Sequence, residues 1–122
     1  MALTAAVPDH MGNALRYKDG LGASDNDVIV ETGDVSAYDE FMLMHTTAGA
    51  LDVFPSLDGT NYATAPLSLI DLGAATSDPV LVTSASRIFA FYGTYAKIRV
   101  LQNGAGVPVD VCLICSRKGG AR

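Results

Sequence analysis

Tyr95-Ala-Lys-Ile-Arg-Val-Leu101, the turn Asn103-Gly-Ala-Gly106 and the run Val107-Pro-Val-Asp-Val-Cys-Leu-Ile114 decide how this chain folds. In the first run Ala96, Ile98 and Val100 fall on one side and Lys97 and Arg99 on the other. In the second, Val109, Val111 and Leu113 alternate in the same way. A period of two belongs to a pleated strand with one buried face. The residues between the runs are of the kind that tolerate positive φ, as a tight turn requires. Working outward, Arg87 to Tyr92 reads as a strand stopped at Gly93, and Val80 to Thr83 as a short strand after Pro79. Ala50 to Pro55 ends at Ser56-Leu-Asp-Gly59, a strong hairpin signal. Glu40 to Thr47 alternates Phe41, Leu43 and His45 against Met42, Met44 and Thr46, and Val28 to Thr32 is β-branched up to Gly33. Pro66 bars a central strand through Tyr62–Leu72, where Leu67 to Ile70 fits either a strand or one helical turn.

About seven or eight short strands, with turn signals every 8–12 residues and no helical stripe, predict an all-β antiparallel β-sandwich or jelly-roll. At 122 residues it is one domain. The expected bounds are an extended N-terminal arm over 1–26, a sandwich over 27–116 and a flexible basic tail over 117–122. The arm reading rests on Pro8, Gly12, Gly20 and Gly22, which interrupt every period, with apolar residues scattered between them.

Apolar residues make up 49% of the chain and charged ones 17%, the latter against about 25% in ordinary domains. The surplus of apolar residues belongs either to the core or to a surface that a partner covers, and a covered surface is the favoured reading. A net charge of −5 argues against sequence-independent nucleic-acid binding, which needs clustered cations. Residues 1–60 carry ten acids against Arg16 and Lys18, whereas 61–122 carry three acids against six bases. That asymmetry suits subunits that orient one another, and it equally suits solvated faces. No apolar run reaches the roughly 18 residues of a membrane span. Met1 to Pro8 lacks the basic start and apolar stretch of a secretory leader, so synthesis and assembly in a host cytoplasm are expected.

No motif carries catalysis or a cofactor. Cys112-Leu-Ile-Cys115 has CxxC spacing, but in a strand the two Cα atoms lie about 10 Å apart and the side chains face opposite ways. That exceeds the roughly 7 Å limit for a disulfide. His45 reads as a hydrogen-bonded structural histidine. Asp25-Asn-Asp27 and Asp58-Gly-Thr-Asn61 read as turns, since neither continues into a calcium-loop ligand series. Tyr62, Tyr92 and Tyr95, with Phe89 and Phe91, offer a stacking platform for a sugar. Alternation assigns Phe89 and Phe91 to one face, so one aromatic pair belongs to the core, and the absence of Trp weakens the platform reading.

Asp52-Val-Phe-Pro-Ser-Leu-Asp-Gly-Thr-Asn-Tyr62, Phe91-Tyr-Gly-Thr-Tyr-Ala-Lys-Ile-Arg-Val-Leu-Gln-Asn103 and Val109-Asp-Val-Cys-Leu-Ile-Cys115 together resemble small virion structural proteins of tailed bacteriophages. In character they are most similar to the head decoration, or cement, proteins. The resemblance covers residues 40–116. It implies a sandwich or jelly-roll that assembles as a homotrimer on the capsid surface of the virion and clamps the major capsid protein against the pressure of packaged DNA. The chain is then not an enzyme and takes no cofactor, metal, nucleic acid, membrane or small-molecule substrate. An arm with Leu3, Val7, Leu15 and Tyr17 as partner-binding residues fits this, because such a segment can order along a neighbour. The alternatives are a structural protein of the tail or head-to-tail connector and a carbohydrate-binding β-sandwich module.

Overall fold

The computed structural model describes residues 3–4, 6–8, 14–22, 27–45, 50–73, 80, 83, 87–103 and 109–117. Among these are nine strands: β1 (Val7–Pro8), β2 (Ala14–Gly22), β3 (Val28–Glu31), β4 (Glu40–His45), β5 (Ala50–Ser56), β6 (Ile70–Asp71), β7 (Phe89–Tyr92), β8 (Lys97–Asn103) and β9 (Val109–Ser116). They form a six-stranded sheet in the order β1-β2-β9-β4-β7-β6 and a three-stranded sheet in the order β3-β8-β5. Every paired strand is antiparallel. The fold is thus an all-β sandwich.

The alternation seen in the sequence builds the core. Phe41, Leu43, Phe89, Phe91, Val111, Leu113 and Cys115 from the larger sheet are buried in one cluster with Leu51, Val53, Ile98 and Val100 from the smaller. Phe41 stacks on Phe91, ring centroids 4.9 Å apart, and Tyr95 tilts against Phe41 at 5.9 Å. Two buried threonines tie strand edges where ladder bonds stop. Thr32 Oγ1 accepts from the Ile98 amide at 2.9 Å. Thr83 Oγ1 accepts from the Leu51 amide at 2.9 Å and sits 2.7 Å from His45 Nε2. His45 is therefore a structural link between the sheets, as its apolar surroundings predict.

The expected arm needs correction. Ala14–Gly22 is an integral strand, paired with β9 from Ala14↔Ser116 to Gly22↔Val109, so the sandwich starts well before residue 27. The register shifts between Tyr17 and Gly20. A bulge breaks the period of two, which is why the stretch reads as irregular in sequence. Leu3 bridges to Val30, its amide donating to the Ile29 carbonyl at 2.8 Å, and so covers the free edge of β3. The opposite edge, β5, is covered where Ala63 and Leu67 donate to Pro55 and Val53. The terminal strands of the larger sheet, β1 and β6, have two residues each, short edges of the kind that resist edge-to-edge aggregation. Tyr62–Leu72 is irregular apart from β6 and the Leu69–Val80 bridge. Of the tail over 117–122, only Arg117 lies within the described residues.

Candidate interaction surface

Residues opposite one another on antiparallel strands share a face. Register therefore links Val7, Arg16, Ile114, Met42, Ala90 and Ile70 into one row across all six strands of the larger sheet, on the side away from the core. Arg16 is its only charge. The adjacent row begins with Cys112 opposite Met44 and continues through Ile88, whose carbonyl accepts from the Leu72 amide at 2.9 Å. On the other side lie Ser116, Glu40 and Tyr92. Met42, Met44, Ile88, Cys112 and Ile114 line a shallow apolar depression of about 120 Å3.

Six large apolar side chains are exposed among the described residues, and five of them flank or belong to this sheet: Val7, Ile70, Leu72, Ile88 and Tyr92. Ala90 in the middle of the row is fully covered and Met42, Met44, Cys112 and Ile114 are half-buried, yet monomeric soluble proteins rarely gather so continuous an apolar face on an outer surface. Methionine suits a contact surface because its unbranched, polarizable side chain adapts to a partner's shape. The sequence carries the signal in Phe41-Met-Leu-Met44 and Val111-Cys-Leu-Ile-Cys115, which are apolar at odd and even positions alike. That is the pattern of strands covered on both faces.

The sequence-predicted contact residues do not form a unit. Tyr17 is a core residue at 2% exposure, and its hydroxyl accepts from the Gly33 amide at 3.3 Å. Leu3 and Leu15 are half-buried against the core. Only Val7, at 55% exposure, reaches the outer face. Pairing of β2 with β9 turns Leu15 and Tyr17 inward, and the bridge to Val30 holds Leu3 against the edge of β3. Cys112 and Cys115 point to opposite faces and neither is in a disulfide. Burial pushes the Cys115 thiol up to about 12.

A second feature lies across the smaller sheet. Arg99 donates from Nη2 to Glu31 Oε2 at 3.0 Å, Tyr62 donates its hydroxyl to the same oxygen at 3.1 Å, and the Arg99 guanidinium lies 3.9 Å over the Tyr62 ring. The hydrogen bond from Arg99 holds the Glu31 carboxyl below its ordinary range, whereas burial, with the Glu31 bond second, raises the Tyr62 phenol. Beside Tyr62, Asp58 organises a turn. Its Oδ1 accepts from the amides of Thr60 and Asn61, both at 2.8 Å, and from Ser56 Oγ at 3.1 Å, while Oδ2 accepts from Asn61 Nδ2 at 2.9 Å. These bonds, the Asn61 amide first, hold the Asp58 carboxyl far below its ordinary value. Gly59 at φ 81° completes the turn. An open groove of about 460 Å3 runs from this turn to Tyr95, with Pro55, Leu57, Asn61 and Tyr62 among its lining.

No protein-family description and no curated protein sequence matches the chain. Its fold is similar to the crystal structure of the SPBc2 prophage-derived protein YomS. The TM-score is 0.65 over 84% of this chain and 92% of that one, at 13% sequence identity.

Proposed function

We propose that the chain is a structural protein of a bacteriophage particle, bound to the capsid surface as a decoration, or cement, protein in homotrimeric form. The observation that carries this reading is the apolar outer face of the six-stranded sheet in a chain of low charge. A prophage-derived protein with the same fold over most of both chains supports the phage setting. The mechanism is association. Each square ångström of apolar area removed from water contributes about 25 cal/mol before the costs of ordering. Repetition over a lattice multiplies a modest contact into firm attachment. The single charge of the central row, Arg16, sits beside Ile114, where it orients the contact more than it strengthens it.

The test is co-sedimentation of purified protein with expanded capsids that lack it, alongside its mass in solution by light scattering. Saturable capsid binding by a trimer is the expected result. Binding to isolated tails or connectors, with none to capsids, moves the chain to the alternative virion role. Failure to bind any virion component overturns the reading.

A further inference from the structure

We propose that the groove between the Asp58 turn and Tyr95 is a binding site for a neutral saccharide. It lies on a different part of the sandwich from the apolar face and does not depend on the capsid role. The geometry assembles the two things a sugar needs. For the C–H faces of the pyranose there are two held tyrosines. Tyr62 has Arg99 at 3.9 Å over its ring and Glu31 on its hydroxyl, and it lines the groove. Tyr95 is fixed by Phe41 behind it and by its hydroxyl bond to the Tyr92 carbonyl at 3.0 Å. Gly93, at φ 139°, makes room for that ring, since a Cβ there would stand 2.7 Å from the Tyr95 hydroxyl oxygen. Rings held in place bind at lower entropic cost than rings that must be ordered.

For the hydroxyls there is an acceptor and a donor on one rigid turn. Asp58 Oδ2 takes one bond, from Asn61, and an ionised carboxylate oxygen has capacity for another. The Asn61 amide uses one N–H on that bond, and among the described residues its second N–H and its carbonyl remain to bond a diol. The groove volume of about 460 Å3 falls within the roughly 300–1,000 Å3 of small-ligand clefts. Two other occupants fit less well. An anionic ligand meets the Asp58 charge. A polyproline peptide, the other known guest of tyrosine-lined grooves, has no backbone N–H to offer a carboxylate. Sugar hydroxyls supply donors and acceptors together.

The experiment titrates the full chain with maltotriose, cellotriose and triacetylchitotriose, and separately with a proline-rich decapeptide, following backbone amide resonances. At least one trisaccharide is expected to shift Gly59, Thr60 and Asn61 saturably at millimolar concentration. Asn61→Ala and Tyr62→Ala should each weaken that binding by about tenfold, whereas Tyr62→Phe, which keeps the ring, should stay within about threefold. Asn61 is exposed, so its variant tests the site even where Tyr62→Ala disturbs the fold. The proposal is overturned if no trisaccharide shifts these amides, if the shifts survive both alanine variants at full affinity, or if only the peptide binds.

Discussion

Along β8 the side chains that leave the core are Lys97, Arg99, Leu101 and Asn103, whereas along β4 and β9 they are Met42, Met44, Cys112 and Ile114, with Glu40 and Ser116 only at one end. Both sheets present an inner face of Val, Ile, Leu and Phe. They differ in what the second face must satisfy. On the smaller sheet Arg99 pairs with Glu31 and Asn103 donates to Asp52, and Tyr62 packs over the Arg99–Glu31 pair. That is a face built for water. The larger sheet offers water almost no hydrogen-bonding side chain across its two central rows. Identical strand physics thus yields one solvated face and one that is stable only when covered.

The comparison is tested most severely on β4, where neighbours point to opposite faces. Leu43→Ala, at zero exposure, should cost about 2–5 kcal/mol of folding stability. Met42→Ala should cost well under half of that in the isolated chain, because its side chain is already half-exposed. Urea denaturation of both variants measures the difference, and equal losses would mean that the outer face is packed. Next in size is an effect on association. Met42→Glu or Ile114→Lys should weaken partner binding by about 2 kcal/mol or more, roughly thirtyfold, with stability changed by about 1 kcal/mol at most. Leu101→Lys, on the solvated face beside Asp52, is the control and should leave binding unaltered. Co-sedimentation with capsids reads all three.

A smaller effect separates the two cysteines. Cys115 is buried, with its thiol pushed up to about 12, so little reactive thiolate forms near pH 8. Cys112 is half-exposed in the apolar depression. A maleimide pulse on the native chain should therefore modify Cys112 within minutes and Cys115 only after unfolding, as peptide mass spectrometry resolves. In assembled particles Cys112 should be protected as well. Labelling of Cys112 at an unchanged rate would place the partner elsewhere.

The alternation of β4, β8 and β9 and the buried Phe89 and Phe91 were legible in the sequence because a half-buried strand writes its period into residue type. His45 as a structural residue was legible because the sequence sets no second histidine and no fixed carboxylate beside it. The strand at Ala14–Gly22 was not, since the bulge between Tyr17 and Gly20 shifts its phase and two short-range rules then point to a loop. The apolar outer face was written plainly in Phe41-Met-Leu-Met44. It says only that both faces want cover, not which residues across the sheet continue the patch. That needs the β9-β4-β7 register, a long-range property no local pattern holds. The meeting of Tyr62 with Arg99 and Glu31 depends likewise on the chain folding back across β5 after the Asp58 turn.

The smallest expected effect lies in that cluster, and it has a definite sign. Glu31 is held below its ordinary value of 4.5 in the folded chain, chiefly by the hydrogen bond from Arg99. A depressed carboxyl contributes stability above its unfolded pKa and loses it as pH falls through the folded one. Tyr62 runs the other way. Its raised phenol contributes below the ordinary value of 10.0 and loses that contribution as pH climbs past it. The cluster should therefore contribute fully at neutral pH and fade on both sides. Solvent screening holds a partly exposed pair to about 0.2–1 kcal/mol. Asp34, Asp58 and Asp71 are also held low, so the acid limb of the parent chain alone is not diagnostic. The informative quantity is the melting-temperature difference between the parent chain and Glu31→Gln. It should be largest near pH 7 and shrink below pH 4.5, whereas Tyr62→Phe should weaken the alkaline limb without abolishing it, because Tyr17, Tyr95 and Cys115 are raised as well. A difference that is flat with pH would mean that Glu31 and Arg99 are solvated independently. The charges on this face would then be unpaired, and the contrast between the two faces would rest on the apolar one alone.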